Sequence, residues 1–235
     1  MTVLSVVKDV CAAVGVLIPT SITTGITTNR TMQEMLSLAN EMAQRIAYDV
    51  RDWTQLKKVQ TYNGDGAATA FNLPANYKRM LLTSNLWRST SSLVPMRFVP
   101  DTDEWLQRRS RNYVDAYGEW TMLGGQIQIW PAMVVGQSAY HGYLDKNCVA
   151  LASGGNGNSF QADNDSYVLD ERLLKLGMIW QWKANKGSPY AEDLATYGDA
   201  LSFVTSHDSP APILIGRKPI SANARVAYPW PVPTP

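Results

Sequence analysis

The chain has 235 residues, 45% of them hydrophobic, which is enough for a real core in one large domain or one domain with an appendage. Only 17% are charged and the formal net charge is +1, which argues against a protein that grips nucleic acid over its whole surface. So low a charged fraction fits a surface partly covered by partners, because charges are depleted at interface cores; a monomer coated with Ser, Thr and Asn fits equally.

Residues 2–14 put Val3, Val6, Val7, Val10, Cys11 and Val14 on one helical face, with Thr2 as N-cap and Gly15 at the end. Lys8 is followed at once by Asp9 and no basic stretch precedes Val10, so this is a core helix rather than a signal sequence. No apolar run reaches eighteen residues, so no membrane span is expected. A Thr-rich loop through Pro19 and Gly25 leads to Thr31 and Glu34, a capping box. Behind it Met35, Leu38, Met42, Ile46, Val50 and Trp53 recur every three or four residues, which predicts a helix over 31–53.

From Lys57 the period becomes two. Val59–Tyr62 and Thr69–Leu73, separated by Asn63-Gly64-Asp65-Gly66, predict a β-hairpin. Further strands are expected over Met80–Trp87, Leu93–Val99, Glu119–Leu123, Gln126–Trp130 and Ser138–Leu144, with Gly124-Gly125 as a tight turn. Asp101 and Glu104 predict a short helix carrying Trp105 and Leu106. Residues 57–150 thus form a mainly antiparallel β-module, and Ser153–Asn158 a mobile loop. Asp170 then caps a helix over 170–186 closed by Gly187, and Ser188-Pro189 opens another over 189–206. On the latter Tyr190, Leu194, Tyr197, Leu201 and Val204 make a stripe suited to an antiparallel helical hairpin. The fold class expected is α+β: an antiparallel helical bundle with an inserted β-module (core 1–208) and an extended arm, 209–235. That last segment holds seven prolines and no acidic residue, so it cannot be helical. It also carries Ile213, Leu214, Ile215, Arg217, Lys218 and Trp230, the residues expected to bind a partner.

Chemistry-bearing groups are scarce. His141 and His207 lie apart, and no Cys/His set, phosphate-binding glycine loop or nucleophile elbow occurs, so neither metal nor cofactor is expected. Cys11 and Cys148 read as two free, buried thiols. Asp163-Asn164-Asp165 starts like a calcium loop, but Tyr167 stands where a fifth ligand should be; turn chemistry explains it better. Asp101, Asp103 and Glu104 are adjacent at a helix start and read as caps before they read as a hydrolytic pair. Arg108, Arg109 and Arg111 form the one compact basic cluster, which could face phosphates or simply be a solvated helix end.

In order, the chain offers Asp52-Trp53-x-x-Leu56, Gly64-Asp65-Gly66 and Phe71-x-Leu73-Pro74-x-x-Tyr77-x-Arg79. Trp105, Trp120 and Gly125-x-Ile127-x-Ile129-x-Pro131 follow, then Tyr143, Asp170, Lys186-Gly187 and Tyr197. This set resembles the head-to-tail adaptor (head-completion, connector) proteins of tailed bacteriophages over roughly residues 30–205. Asn76 departs from it, standing where an acidic residue is more usual. The resemblance implies a non-enzymatic ring subunit, usually twelvefold, seated under the portal protein in the virion neck and assembled in the host cytoplasm. Its partners would be copies of itself, the portal, a tail or nozzle protein, and double-stranded DNA passing without sequence specificity. On that view Arg108, Arg109 and Arg111 face the channel, and Tyr190, Leu194, Tyr197 and Leu201 pack subunits together. A second class is an aromatic-rich β-module for carbohydrate or single-stranded nucleic acid, suggested by eight tryptophans and eleven tyrosines.

Overall fold

A computed structural model describes residues 1–23, 29–82, 84–90 and 94–208. The fold is mixed α+β, with five helices and three small sheets among the described residues. The expected partner-binding residues Ile213, Leu214, Ile215, Arg217, Lys218 and Trp230 lie outside them, as do Gly25 and Leu93.

Helix α1 (Val3–Val14) is capped by Thr2, whose hydroxyl accepts from the Ser5 N–H, and ends at Gly15 in the left-handed conformation. Its buried face is Val3, Val6, Val7, Val10 and Cys11, as the periodicity requires. Helix α2 (Arg30–Tyr48) departs from expectation at both ends. Asn29 is the cap, its side chain accepting from the Thr31 N–H, while Glu34 pairs with Arg30 and Lys186 instead of closing a box. The helix stops before Val50 and Trp53; a single 3-10 turn, Thr54–Leu56, follows. Trp53 still reaches the apolar core, because a bent chain can return a side chain that helical spacing only appeared to align.

Strands β1 (Lys57–Asn63) and β2 (Ala70–Asn72) do not pair, so the hairpin expected between them is wrong. Strand β1 pairs along its whole length with β8 (Ser138–Asp145), flanked on β8's other side by β3 (Tyr77–Met80) and β4 (Trp87–Arg88). Strand β2 belongs to a second sheet, ordered β2–β7–β6–β5, with β5 at Arg97–Phe98, β6 at Glu119–Leu123 and β7 at Gln126–Trp130. The Gly64 region is a passage between sheets: a Cβ there would lie 2.5 Å from the Met133 carbonyl oxygen and 2.6 Å from that of Val134. Only a residue without a side chain lets the two backbones cross so closely. The long strands expected over Met80–Trp87 and Leu93–Val99 shrink to the short β3–β4 and β5 segments, and β5 runs parallel to β6. The β6–β7 hairpin turns on Gly124 and Gly125, both at positive φ, as expected of a two-residue turn.

Helix α3 (Thr102–Ser110) starts at Asp101, whose carboxylate accepts from the Asp103 N–H. Beyond β8 come β9 (Val149–Ala150), β10 (Asn156–Gly157) and β11 (Ser166–Tyr167), a third sheet ordered β10–β9–β11. The loop expected over Ser153–Asn158 therefore contains a strand, and its Gly154 and Gly155 turn the chain at positive φ. Helix α4 (Glu171–Asn185) is capped by Asp170 and is followed by Gly187 at positive φ. Helix α5 (Ala191–His207) begins two residues later than expected, at a Tyr190 cap. Helix α4 is central, touching α1, α2 and α5.

There are two apolar cores. One gathers α1, α2 and α4 with Trp53, Leu56, Cys148, Phe160 and Tyr167. The other lies in the β-module and includes Tyr62, Leu86, Met96, Trp120, Ile127, Ile129 and Met133. Strand β8 serves both: Ala139 points into the second and Leu144 into the first, since successive strand residues face opposite sides.

Candidate functional site

The arginine cluster is the strongest candidate on sequence grounds, and most of it has partners within the subunit. Helix α3 is joined to the β5–β6–β7 sheet through polar contacts beside the buried Trp105. Arg108 reaches the fully buried Glu119 of β6 at 2.5 Å and Glu104, one turn back, at 2.7 Å; Glu104 also meets Arg97 at 3.4 Å. The Arg109 guanidinium lies 3.6 Å from the centre of the Trp130 ring, and burial pulls its pKa below the ordinary value. The Trp130 indole N–H donates to the Tyr113 carbonyl, which ties the loop after α3 to the same spot. Arg108 and Arg109 are therefore both engaged within the subunit, Arg108 by two carboxylates and Arg109 over the Trp130 ring. Arg111 alone of the three is exposed. Glu119 was not anticipated; the one hint was a carboxylate at the head of an apolar strand.

This arrangement has a measurable consequence. Arg108→Met strands the Glu119 carboxylate in a buried site, so it should lower the thermal midpoint more than Glu119→Met does. The double variant should recover much of the loss, because removing both charges is far cheaper than orphaning one. Additive effects in this thermal-melt cycle would show that the pair is not coupled.

The acidic candidates also have internal occupations. Asp101 caps α3, and Glu104 is ion-paired as described. The Asp163 carboxylate accepts from the Ser21 hydroxyl and from the backbone N–H groups of Ile22 and Thr23. Buried Asp165 accepts from the N–H groups of Ala152, Gln161 and Ala162. Burial raises both carboxyls, and these hydrogen bonds more than reverse it, leaving both below the ordinary range. Asp165 carries the turn chemistry expected of this stretch, while Asp163 ties it to the distant N-terminal segment. Asn76 donates to the buried Asp145 carboxylate at 2.9 Å and accepts from the Tyr143 hydroxyl at 3.1 Å. An acidic residue there would face Asp145, which explains the departure noted at this position.

His141 is buried with neither ring nitrogen hydrogen-bonded, stacked on Tyr62 at 5.6 Å and flanked by Tyr77 and Tyr143. Burial pushes its pKa down to about 4, so the ring is neutral at pH 7. No carboxylate or nucleophile bonds to it, and a general base needs such a partner or access to substrate. His207 lies at the end of α5, its Nδ1 2.8 Å from the Phe203 carbonyl. Both cysteines are free and buried, with burial raising both thiol pKa values. Among the described residues no group of three His, Cys, Asp or Glu side chains converges on a point, and no helix is long and apolar enough to cross a membrane.

On α5 the expected stripe divides. Tyr197 is buried, its ring 6.2 Å from that of Trp180 on α4, and Leu201 is half-buried against the same core. Both pack within the subunit. Tyr190 and Leu194 remain exposed. Two open clefts flank these helices. One of about 510 Å³ lies between α2 and α4, beside Glu34, Trp182 and Lys186. The other, of about 430 Å³, is lined by Trp53, Thr54, Val204 and Asp208. The tryptophans offer no shared platform among the described residues: Trp53, Trp105, Trp120 and Trp182 are buried in different places, and Arg109 covers Trp130.

With this geometry the chain belongs to the class of mixed α+β proteins with several antiparallel sheets and two cores. No family model matches it, and comparison with curated proteins finds no relative.

Proposed function

We propose that the chain is a structural subunit of a phage neck, a head-to-tail adaptor that forms a ring under the portal, passes the genome and docks the tail or nozzle. The observation that carries this reading is the number of large apolar side chains left bare on separate elements. Leu82 is 87% exposed, Leu17 82%, Val135 79% and Phe203 63%. Scattered exposed apolar residues are ordinary, but side chains this bare on a charge-poor surface suit a protein that is covered when assembled. A closed ring requires two different, complementary faces on each subunit, so apolar residues on more than one side are what it needs. The helix, β-module, helical-hairpin order supports the same reading by resemblance.

In this proposal the helices form an antiparallel bundle and Tyr190 and Leu194 supply part of a subunit contact. Arg111 is the cation left to meet the DNA backbone, and residues 209–235 are the arm toward portal or neighbour. The subunit has no catalytic role, and it resides in the virion neck after assembly in the host cytoplasm. Negative-stain imaging of the purified full-length protein, alone and with the portal of the same virus, should show rings, twelvefold if the resemblance holds. A protein that stays monomeric under both conditions and is missing from purified virions would sink the proposal.

A further inference from the structure

Strand β1 is the edge of its sheet, and among the described residues no strand pairs with its outer side. The direction of its backbone groups follows from register. The Gly64 N–H donates to the Gln137 carbonyl, so Gly64 and Gln137 form a hydrogen-bonded pair. Such pairs alternate along an antiparallel ladder, so Lys58, Gln60 and Tyr62 also bond to β8. Val59, Thr61 and Asn63 then turn both N–H and C=O outward, away from β8; at Lys57 only the C=O is open, because its N–H donates to the Thr54 carbonyl, and the outward Thr61 C=O accepts from the Gln60 side chain. Strand β8 obeys the same alternation, since its Ser138 and Gly142 carbonyls accept from Ser89 and Leu81 on the opposite side. Beside this open ladder Val59 is 71% exposed, because its cross-strand partner is the side-chain-less Gly142. An unpaired seven-residue edge with a bare apolar residue is a ready acceptor for an added strand.

The described chain ends next to it. Asp208, just past α5, accepts through its own carbonyl from the Thr54 hydroxyl at 3.1 Å, and Arg51 meets its carboxylate at 3.5 Å. Thr54 opens the single 3-10 turn that leads straight into Lys57. Whatever follows Asp208 therefore sets out one short turn from the start of the open edge. The sequence that follows has prolines at 210, 212 and 219, and between them the proline-free run Ile213-Leu214-Ile215-Gly216-Arg217-Lys218. Proline cannot donate to a ladder, so this is the first stretch able to pair continuously. Six residues extend roughly 20 Å, close to the length of β1.

We infer that residues 213–218 add to β1 of their own subunit as a parallel edge strand. The Ile213–Ile215 run covers Val59, and the segment as a whole supplies partners for the outward N–H groups of Val59, Thr61 and Asn63. Starting at Ile213 beside Lys57 sets Arg217 and Lys218 near Thr61 and Tyr62, roughly 13 Å along the strand from Lys57 and Lys58, which limits like-charge repulsion. Residues 219–235, with Trp230, remain beyond the latch and are launched from a fixed point. The inference assigns Ile213, Leu214 and Ile215 to the subunit itself rather than to a partner, and it stands whether or not the chain forms rings.

Hydrogen exchange read by NMR at single amides of the full-length protein tests it. The Val59, Thr61 and Asn63 amides should exchange slowly, alongside the Lys58, Gln60 and Tyr62 amides that bond to β8. The double variant Leu214→Pro/Ile215→Pro, in a segment already rich in proline, should speed the first set by about tenfold or more and leave the second unchanged. Fast exchange of the outward set in the unaltered chain, or equal protection in the variant, would overturn the inference. So would protection that vanishes on dilution to monomer, because the strand would then come from another copy.

Discussion

Trp53→Ala should cost about 3–5 kcal/mol of folding stability, the range for removing a large buried aromatic side chain. The ring is buried at the joint between α2 and the 3-10 turn, and its indole N–H donates to the Ile46 carbonyl at 2.7 Å. Helix α2 ends at Tyr48, so Ile46 is among the last four residues, whose carbonyls lack an intrahelical donor. Trp53 thus fills core volume and caps the helix at once. Trp53→Phe keeps most of the volume and orphans the carbonyl, so it should cost about 1–3 kcal/mol. Urea unfolding of the three proteins measures both. An alanine variant within about 1 kcal/mol of the parent, well below the cavity range, would mean the site collapses freely around the loss.

Acidification from pH 6.5 to about 4 should remove roughly 3 kcal/mol through His141 alone. Above an unfolded-state pKa near 6.5 the ring is neutral in both states and contributes no slope. Below it the unfolded chain binds a proton that the buried ring refuses, so stability falls as pH falls. The loss levels off once the folded state can take the proton too, near pH 4. The lowered carboxyls of Asp163 and Asp165 act in a separate window, because their contribution is lost only below the ordinary Asp value. His141→Phe keeps the stack on Tyr62 and removes two unpaired ring nitrogens, so it should flatten the 6.5-to-4 window without weakening the protein at pH 7. Urea midpoints across that range decide the matter: an unchanged slope in His141→Phe would exonerate the ring.

Where one element's own period or cap carries the information, the sequence determines the outcome. The faces of α1 and α4, the Asp101 and Asp170 caps and the Gly124-Gly125 turn follow from residues within a few positions of one another. The same local logic identified Asp165 as a turn former, but not the reach of Asp163 to Ser21, Ile22 and Thr23. Pairing across the chain is a different matter. Two apolar strands flanking a Gly-Asp-Gly turn look like a hairpin, yet β1 chose β8, some eighty residues away, because full-length pairing there also delivers Leu144 to one core and Ala139 to the other. The fate of each charge was equally invisible. Arg108, Arg109 and Arg111 are nearly adjacent in sequence, but Glu119 and Trp130 claim the first two, leaving Arg111 exposed. Local patterns record which face of an element is apolar. Which other surface covers that face, and which carboxylate or ring meets an arginine, depends on groups brought together only after the chain has packed, and the tertiary structure alone decided it.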